Sequence, residues 1–339
     1  VPEFILDYLG FLLKVLTLVL AVLVVLGVAA AIRRSRAGQE QLEISSLNDR
    51  LQGYQEELKE NWLEGKALKQ ERKRTKQEKK QRKEDLAERP RVFVLDFKGD
   101  LSASRAGALG REISCLLGLL RSQDEVVVRL ESAGGFVHSY GYAAAQLQRL
   151  RDQEIRLTVC VDKVAASGGY MMASTANQLL AAPFAVIGSI GVVAEMPNVH
   201  RLLKKHDVDY EVLTAGEYKR TLTLMGENTE EGRQKFVDDL EATHQLFKSY
   251  VQRNRTHLDI DRVARGEIWY GEQAFSLNLV DQLMTSDDYL LKRMADAEVF
   301  SLQLKRMSPL VERVTAQAAR VFEQRIQSWW PRLQLPFKR

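Results

Sequence analysis

From residue 91 to about 305, short runs of β-branched and aromatic residues alternate with stretches of helical period. No other feature restricts the fold of this chain as much. The extended runs cover residues 92–97, 125–130, 157–161, 178–181 and 210–214. Helical patterns separate the first four, at 106–120, 138–151 and 167–177. Beyond them, 230–253 is a long amphipathic helix with Phe236, Leu240, Phe247 and Val251 on one face. Residues 260–264 and 272–278 read as further helical turns. Apolar strands alternating with helices predict an α/β fold around a mostly buried sheet. The apolar stretch 179–194 contains Pro183, Gly188 and Gly191, and so reads as core strands and turns, not a membrane span.

The 339 residues leave room for appendages to that domain. Residues 15–32 carry no charge, enough for about one bilayer crossing. Glu3 and Asp7 precede the run, where a cleaved signal peptide would carry positive charge. An uncleaved N-terminal transmembrane helix over 1–36 is therefore expected. Arg33, Arg34 and Arg36 follow it and favour a cytoplasmic position for the rest of the chain. Residues 37–90 lack proline before Pro90 and are rich in helix formers, predicting a solvated, partly flexible basic helical stalk. Between Lys66 and Lys83 ten basic residues face only Glu71 and Glu78, a local charge of +8 in a chain of net charge +4. Such a stretch suits anionic lipid headgroups. No interleaved aromatic residues point to nucleic acid. The tail 306–339 has apolar residues every three or four positions, an amphipathic helix suited to the membrane surface or to a neighbouring subunit.

Cys115 and Cys160 both lie in apolar sequence and read as buried free thiols. No CxxC or Cys/His cluster suggests a metal, and no cofactor is expected. The histidines offer little for a Ser-His-Asp triad; His138, after a glycine turn, is the one serious candidate. More specific is Ala166-Ser167-Gly168-Gly169, at a strand-to-helix transition. Small neighbours leave the Ser167 hydroxyl accessible, and amides at a helix start favour a developing oxyanion. Ser167 alone is equally well explained as a helix cap. Two further segments add weight. Ser132-Ala133-Gly134-Gly135 follows a predicted strand, and Gly216-Glu217-Tyr218-Lys219 follows another. A lysine turned into a cleft sheds its proton more readily and becomes a general base. In isolation Lys219 also fits an exposed surface position.

Taken together, Glu-Ser-Ala-Gly-Gly at 131–135, Ala-Ser-Gly-Gly-Tyr-Met-Met at 166–172, Gly-Ser-Ile-Gly-Val at 188–192 and Gly-Glu-Tyr-Lys-Arg at 216–220 resemble the S49 family of membrane-bound serine peptidases, the signal peptide peptidase A type. The resemblance covers nearly the whole chain. It implies a ClpP/crotonase-like fold for 91–305, Ser167 as nucleophile and Lys219 as general base. It implies an oxyanion hole from the Gly134 and Gly168 amides, with Ser189 orienting the lysine. Ala133 stands where the family's turn usually has proline, which costs the turn some rigidity. The resemblance further implies hydrophobic peptide substrates, including signal-peptide remnants, and a homo-oligomeric ring at the bacterial inner membrane. It favours a periplasmic active site, against the cytoplasmic side that the arginines favour. A catalytically silent scaffold of the same fold has no need of both Ser167 and Lys219. An acyl-CoA enzyme of related fold would need an acyl-CoA site.

Overall fold

The computed structural model describes residues 13–17, 19–20, 40–85 and 88–306. The chain divides into two compact units, Val1–Glu43 with Leu304–Arg339, and Ile44–Gln303. In chain order the elements are β1 (Glu40–Ser46), α1 (Leu47–Trp62), α2 (Gly65–Asp85), β2 (Arg91–Lys98), α3 (Ala106–Leu117), β3 (Glu125–Glu131), α4 (Val137–Asp152), β4 (Arg156–Val161), β5 (Val164–Ala166), α5 (Gly168–Ser174), β6 (Gln178–Ala181) and β7 (Val186–Gly188). They continue with α6 (His200–Lys205), α7 (Glu230–Asn254), α8 (Ile260–Val263), β8 (Ile268–Tyr270), α9 (Gly271–Ser276), β9 (Gln282–Leu283), α10 (Ser286–Asp296) and β10 (Glu298–Arg306).

The main sheet has the order β1-β10-β2-β3-β4-β6-β9, parallel from β10 to β9. Val126, Val128 and Leu130 of β3 point to one face, and Val127 to the other. The first face is covered by α3, α4 and α5. Leu109, Ile113 and Leu116 of α3 and Ala143, Leu147 and Leu150 of α4 supply apolar stripes at helical spacing. On the opposite face Tyr289 and Leu290 of α10 pack on Val92, Val94, Val127, Cys160 and Leu180. Burial on both faces explains why these strands read as continuous apolar runs. A second sheet, β5-β7-β8, joins the first through a bridge between Ser132 and Ala165.

Several expectations change. Residues 210–214 form no strand; Tyr210, Val212 and Leu213 are exposed, and no neighbouring strand supplies a ladder. The basic stretch forms one arm of a helix pair. Helices α1 and α2 fold back as an antiparallel hairpin, with Lys59 paired to Glu71, Glu60 to Arg72, Glu56 to Lys79 and Asp49 to Arg82. Cys160 is buried as expected, and burial pushes its thiol pKa up, whereas Cys115 lies exposed on α3. Among the described residues no helix is long and apolar enough to cross a membrane. Most of the predicted span 15–32, and the tail beyond residue 306, lie outside the described residues.

Candidate active site

The carboxyl ends of three strands converge on Ser167. After β3 the chain is tied to β5: the Ser132 amide donates to the Val164 carbonyl (2.8 Å), and the Ala166 amide donates to the Ser132 carbonyl (3.0 Å). Strands β5 and β7 are parallel, with Ala166 beside Gly188. Ser167 and Ser189 are the next residues of the two strands and thus lie side by side. Both have φ near 51°, a conformation costly for any residue but glycine. The Ser167 amide donates to the Gly188 carbonyl (2.8 Å), and the Ser189 amide donates to the Glu267 carbonyl (2.6 Å). Backbone bonds on both strands hold this strained pair in place.

Ser167 is half-buried and immediately precedes α5, yet its side chain caps nothing. The capping alternative therefore fails. Its hydroxyl is uncommitted at a sharp strand-to-helix turn, the backbone device that presents a nucleophile. Glycines crowd it. A Cβ added at Gly134, where φ is +92°, would lie 2.7 Å from Ser167 Cβ and 2.8 Å from the Gly168 nitrogen. A Cβ added at Gly168 would lie 2.4 Å from Cγ of Tyr140. Gly134, Ser167 and Gly168 thus form one contact, which no larger residue at either glycine would permit.

A buried chain of hydrogen bonds underlies the glycine turn. The Gly134 amide donates to Ser132 Oγ (3.1 Å), Ser132 Oγ lies 2.6 Å from the Tyr140 hydroxyl, and Tyr140 donates to the Asp100 carbonyl (2.7 Å). Burial raises the Tyr140 pKa, outweighing the Ser132 hydrogen bond, so the phenol stays protonated. The neighbouring loop closes the turn from outside, with Phe136 donating its amide to the Leu101 carbonyl (2.9 Å). The Leu101 and Phe136 side chains themselves are exposed.

Two further candidates, Lys219 and His138, are exposed. Lys219 follows a turn at Gly216, where φ is +98°, within the exposed segment between β7 and α7. Its ammonium makes no hydrogen bond or ion pair among the described residues. His138 lies exposed on α4 and stacks on Phe136, with ring centroids 5.8 Å apart; no triad forms around it. Among the described residues no His, Cys, Asp and Glu cluster suits a metal ion.

Two family models cover this architecture: the N-terminal region of peptidase family S49 matches residues 3–147, and peptidase family S49 matches residues 149–300. The chain belongs to the S49 peptidase family. This peptidase is 50% identical over 323 residues to the Probable protease SohB of Haemophilus influenzae, covering 91% of each chain. It is 45% identical over 304 residues to the Probable protease SohB of Buchnera aphidicola subsp. Schlechtendalia chinensis, covering 86% of this chain and all of the other. It is 30% identical over 169 residues to Protease 4 of Salmonella typhi, covering 49% of this chain and 27% of the other. It is thus a serine-type peptidase.

Within the peptidase, the boundary between the two family segments falls inside α4. Gly134 belongs to the first, and Ser167, Gly168, Ser189 and Lys219 to the second. Sequence reasoning found the glycine turn and both strand-end serines. It missed Ser132 and Tyr140 as a pair, although Ser132 stands inside the quoted motif. Tyr140 resembles any helical core aromatic until the fold brings its hydroxyl beneath the turn.

Proposed function

We propose that this S49 peptidase is a membrane-anchored endopeptidase that cleaves hydrophobic peptides, including signal-peptide remnants, with a Ser167/Lys219 dyad. One observation carries the reading. The Ser167 hydroxyl is uncommitted on a strained backbone, in contact with two glycines whose amides suit an oxyanion. Neutral Lys219 accepts the Ser167 proton as Oγ attacks the scissile carbonyl. The Gly134 and Gly168 amides stabilise the tetrahedral oxyanion. As it collapses, the peptide C–N bond breaks, and Lys219 returns the proton to the leaving amine. Water, deprotonated by Lys219, then hydrolyses the acyl-enzyme and frees Ser167. Ser189, beside Ser167 in the strand register, suits the orienting of the lysine amine.

The exposed Leu101 and Phe136, beside the glycine turn, support an apolar substrate. The exposed apolar residues around Lys219 support assembly into a ring, which would cover that segment. The uncharged run 15–32 supports anchoring in the inner membrane, and the arginines after it support a cytoplasmic site. The test is cleavage of an unstructured hydrophobic reporter peptide by the full chain in detergent. Ser167→Ala and Lys219→Ala are expected to abolish it. Lys219→Arg, which keeps the charge and cannot act as a base, is expected to abolish it too. Cleavage by Ser167→Ala at the wild-type rate would sink the assignment.

A further inference from the structure

Tyr140 is fully buried, and the chemistry above leaves it without a task. A phenylalanine would fill the same space, so the hydroxyl needs its own account. Its hydrogen has one destination, because the Asp100 carbonyl can only accept. The phenol oxygen must therefore accept from Ser132, and the Ser132 hydrogen is spent there. That leaves an Oγ lone pair facing the Gly134 amide. The circuit has a single proton arrangement, and it ends on an amide that touches Ser167. At Gly99 a Cβ would come within 2.4 Å of both Ser132 Oγ and the Tyr140 hydroxyl, so glycine there makes room for the pair. The tyrosine ring also forms the seat against which Gly168 rests.

We propose that Tyr140 is a positioning residue for peptide hydrolysis: through Ser132 it holds the Gly134 peptide and its turn in place, and through its ring it seats Gly168. The inference rests on the reading of Ser167 as nucleophile with these two amides as oxyanion donors. The bond to the neutral Ser132 hydroxyl, at 3.1 Å, fixes the orientation of the Gly134 peptide. A developing oxyanion is the stronger acceptor and draws that N–H as the transition state forms. Without the phenol hydroxyl, the Ser132 hydrogen turns freely and the Gly134 amide loses its fixed acceptor.

The test compares Tyr140→Phe, Ser132→Ala, the double variant and Tyr142→Phe, a control on the exposed side of the same helix, in the full-length protein in detergent. Three quantities are read: kcat and KM on the hydrophobic reporter peptide, inhibition by a peptide aldehyde that forms a tetrahedral adduct on Ser167, and the melting temperature. Tyr140→Phe and Ser132→Ala are each expected to lower kcat about tenfold, with KM changed by less than about twofold. Aldehyde affinity should fall in parallel. The double variant should be no slower than either single one, since both break one circuit. Tyr142→Phe should match the wild type. A lower melting temperature with unchanged kcat and aldehyde affinity would reduce Tyr140 to a structural residue and overturn the proposal. So would multiplicative losses in the double variant. If Tyr140→Phe does not fold, Ser132→Ala decides by the same readings. Full activity in Ser167→Ala, or no aldehyde adduct on the wild type, would instead overturn the nucleophile assignment and this inference with it.

Discussion

At the scale of single residues, the candidate active site depends on missing side chains. Gly134→Ala would place a methyl group 2.7 Å from Ser167 Cβ at φ +92°, so the turn must move. We expect peptide cleavage to fall at least about 100-fold and stability by about 1–3 kcal/mol, read by kcat/KM and urea unfolding. Gly141, one residue past Tyr140 in α4, is the opposite case: a Cβ there meets nothing within 4 Å. Gly141→Ala should stabilise the protein by about 0.5–1 kcal/mol and raise its melting temperature. Asp124 makes a different kind of prediction. Burial raises its pKa, but hydrogen bonds from Arg91 and Arg121 outweigh that and bring it to about 2. In the unfolded chain an aspartate titrates near ~3.9. The folded value lies below the unfolded one, so the stabilisation is complete above pH ~4 and is lost as the pH falls toward 2. Asp124→Asn should therefore cost about 2 kcal/mol at pH 7, and its deficit should close between pH ~4 and ~2, as followed by urea unfolding.

At the scale of elements, what was legible depended on how local the cause was. Strands β2, β3, β4 and β6 read correctly because burial on both faces leaves an unbroken apolar run. Helices α3, α4 and α7 read correctly from their stripes. Strands β5, β7 and β8, each of three residues, carry too little pattern to detect, although two of them lead directly into Ser167 and Ser189. The run 210–214 misled because β-branched residues mark a strand only when a partner strand covers them. In the basic stretch the partners were hidden for a related reason: acids opposing it lie on α1, 12 to 33 residues away in sequence. The motifs pointed to the serine and glycines of the candidate site, yet a hydrogen-bond circuit such as Tyr140–Ser132–Gly134 has no one-dimensional signature. The hairpin depends on Asn48 at the start of α1. Its amide donates to the Ala297 carbonyl (3.1 Å), and its Oδ1 accepts from the Val299 amide (2.8 Å). Asn48→Ala would leave the buried Val299 N–H without a partner, a cost of about 1–3 kcal/mol. Limited proteolysis should then cut within residues 47–85 at protease concentrations the wild type resists. Unchanged resistance would mean that the ion pairs alone hold the hairpin.

At the scale of the whole molecule, the segment from residue 191 to 229 is the unfinished part. Val193 is 80% exposed and Leu213 90%, and Met196, Tyr210, Val212, Leu224 and Met225 are exposed around them. The segment also lines a cavity of about 530 Å³, with Met196, Tyr210, Leu213 and Met225 among its walls. Water is a poor solvent for so much apolar surface in one place, and contiguous patches of this kind mark contact sites. Lys219 sits among these residues. A lysine in bulk water holds its proton, and base chemistry requires that its surroundings become drier. On the proposed ring, one event does both: packing of 191–229 against a second copy buries the apolar residues and removes water from Lys219. Leu213→Glu puts a carboxylate where that packing occurs. The folded protomer should tolerate it, because the side chain already stands in water, so the melting temperature of dissociated protein should not fall. The assembled mass measured by light scattering in detergent should drop toward that of one chain, and peptide cleavage should be lost with it. Loss of cleavage in a protein that stays assembled would show that Leu213 serves the substrate instead. Full assembly together with full cleavage would remove this segment from the contact altogether.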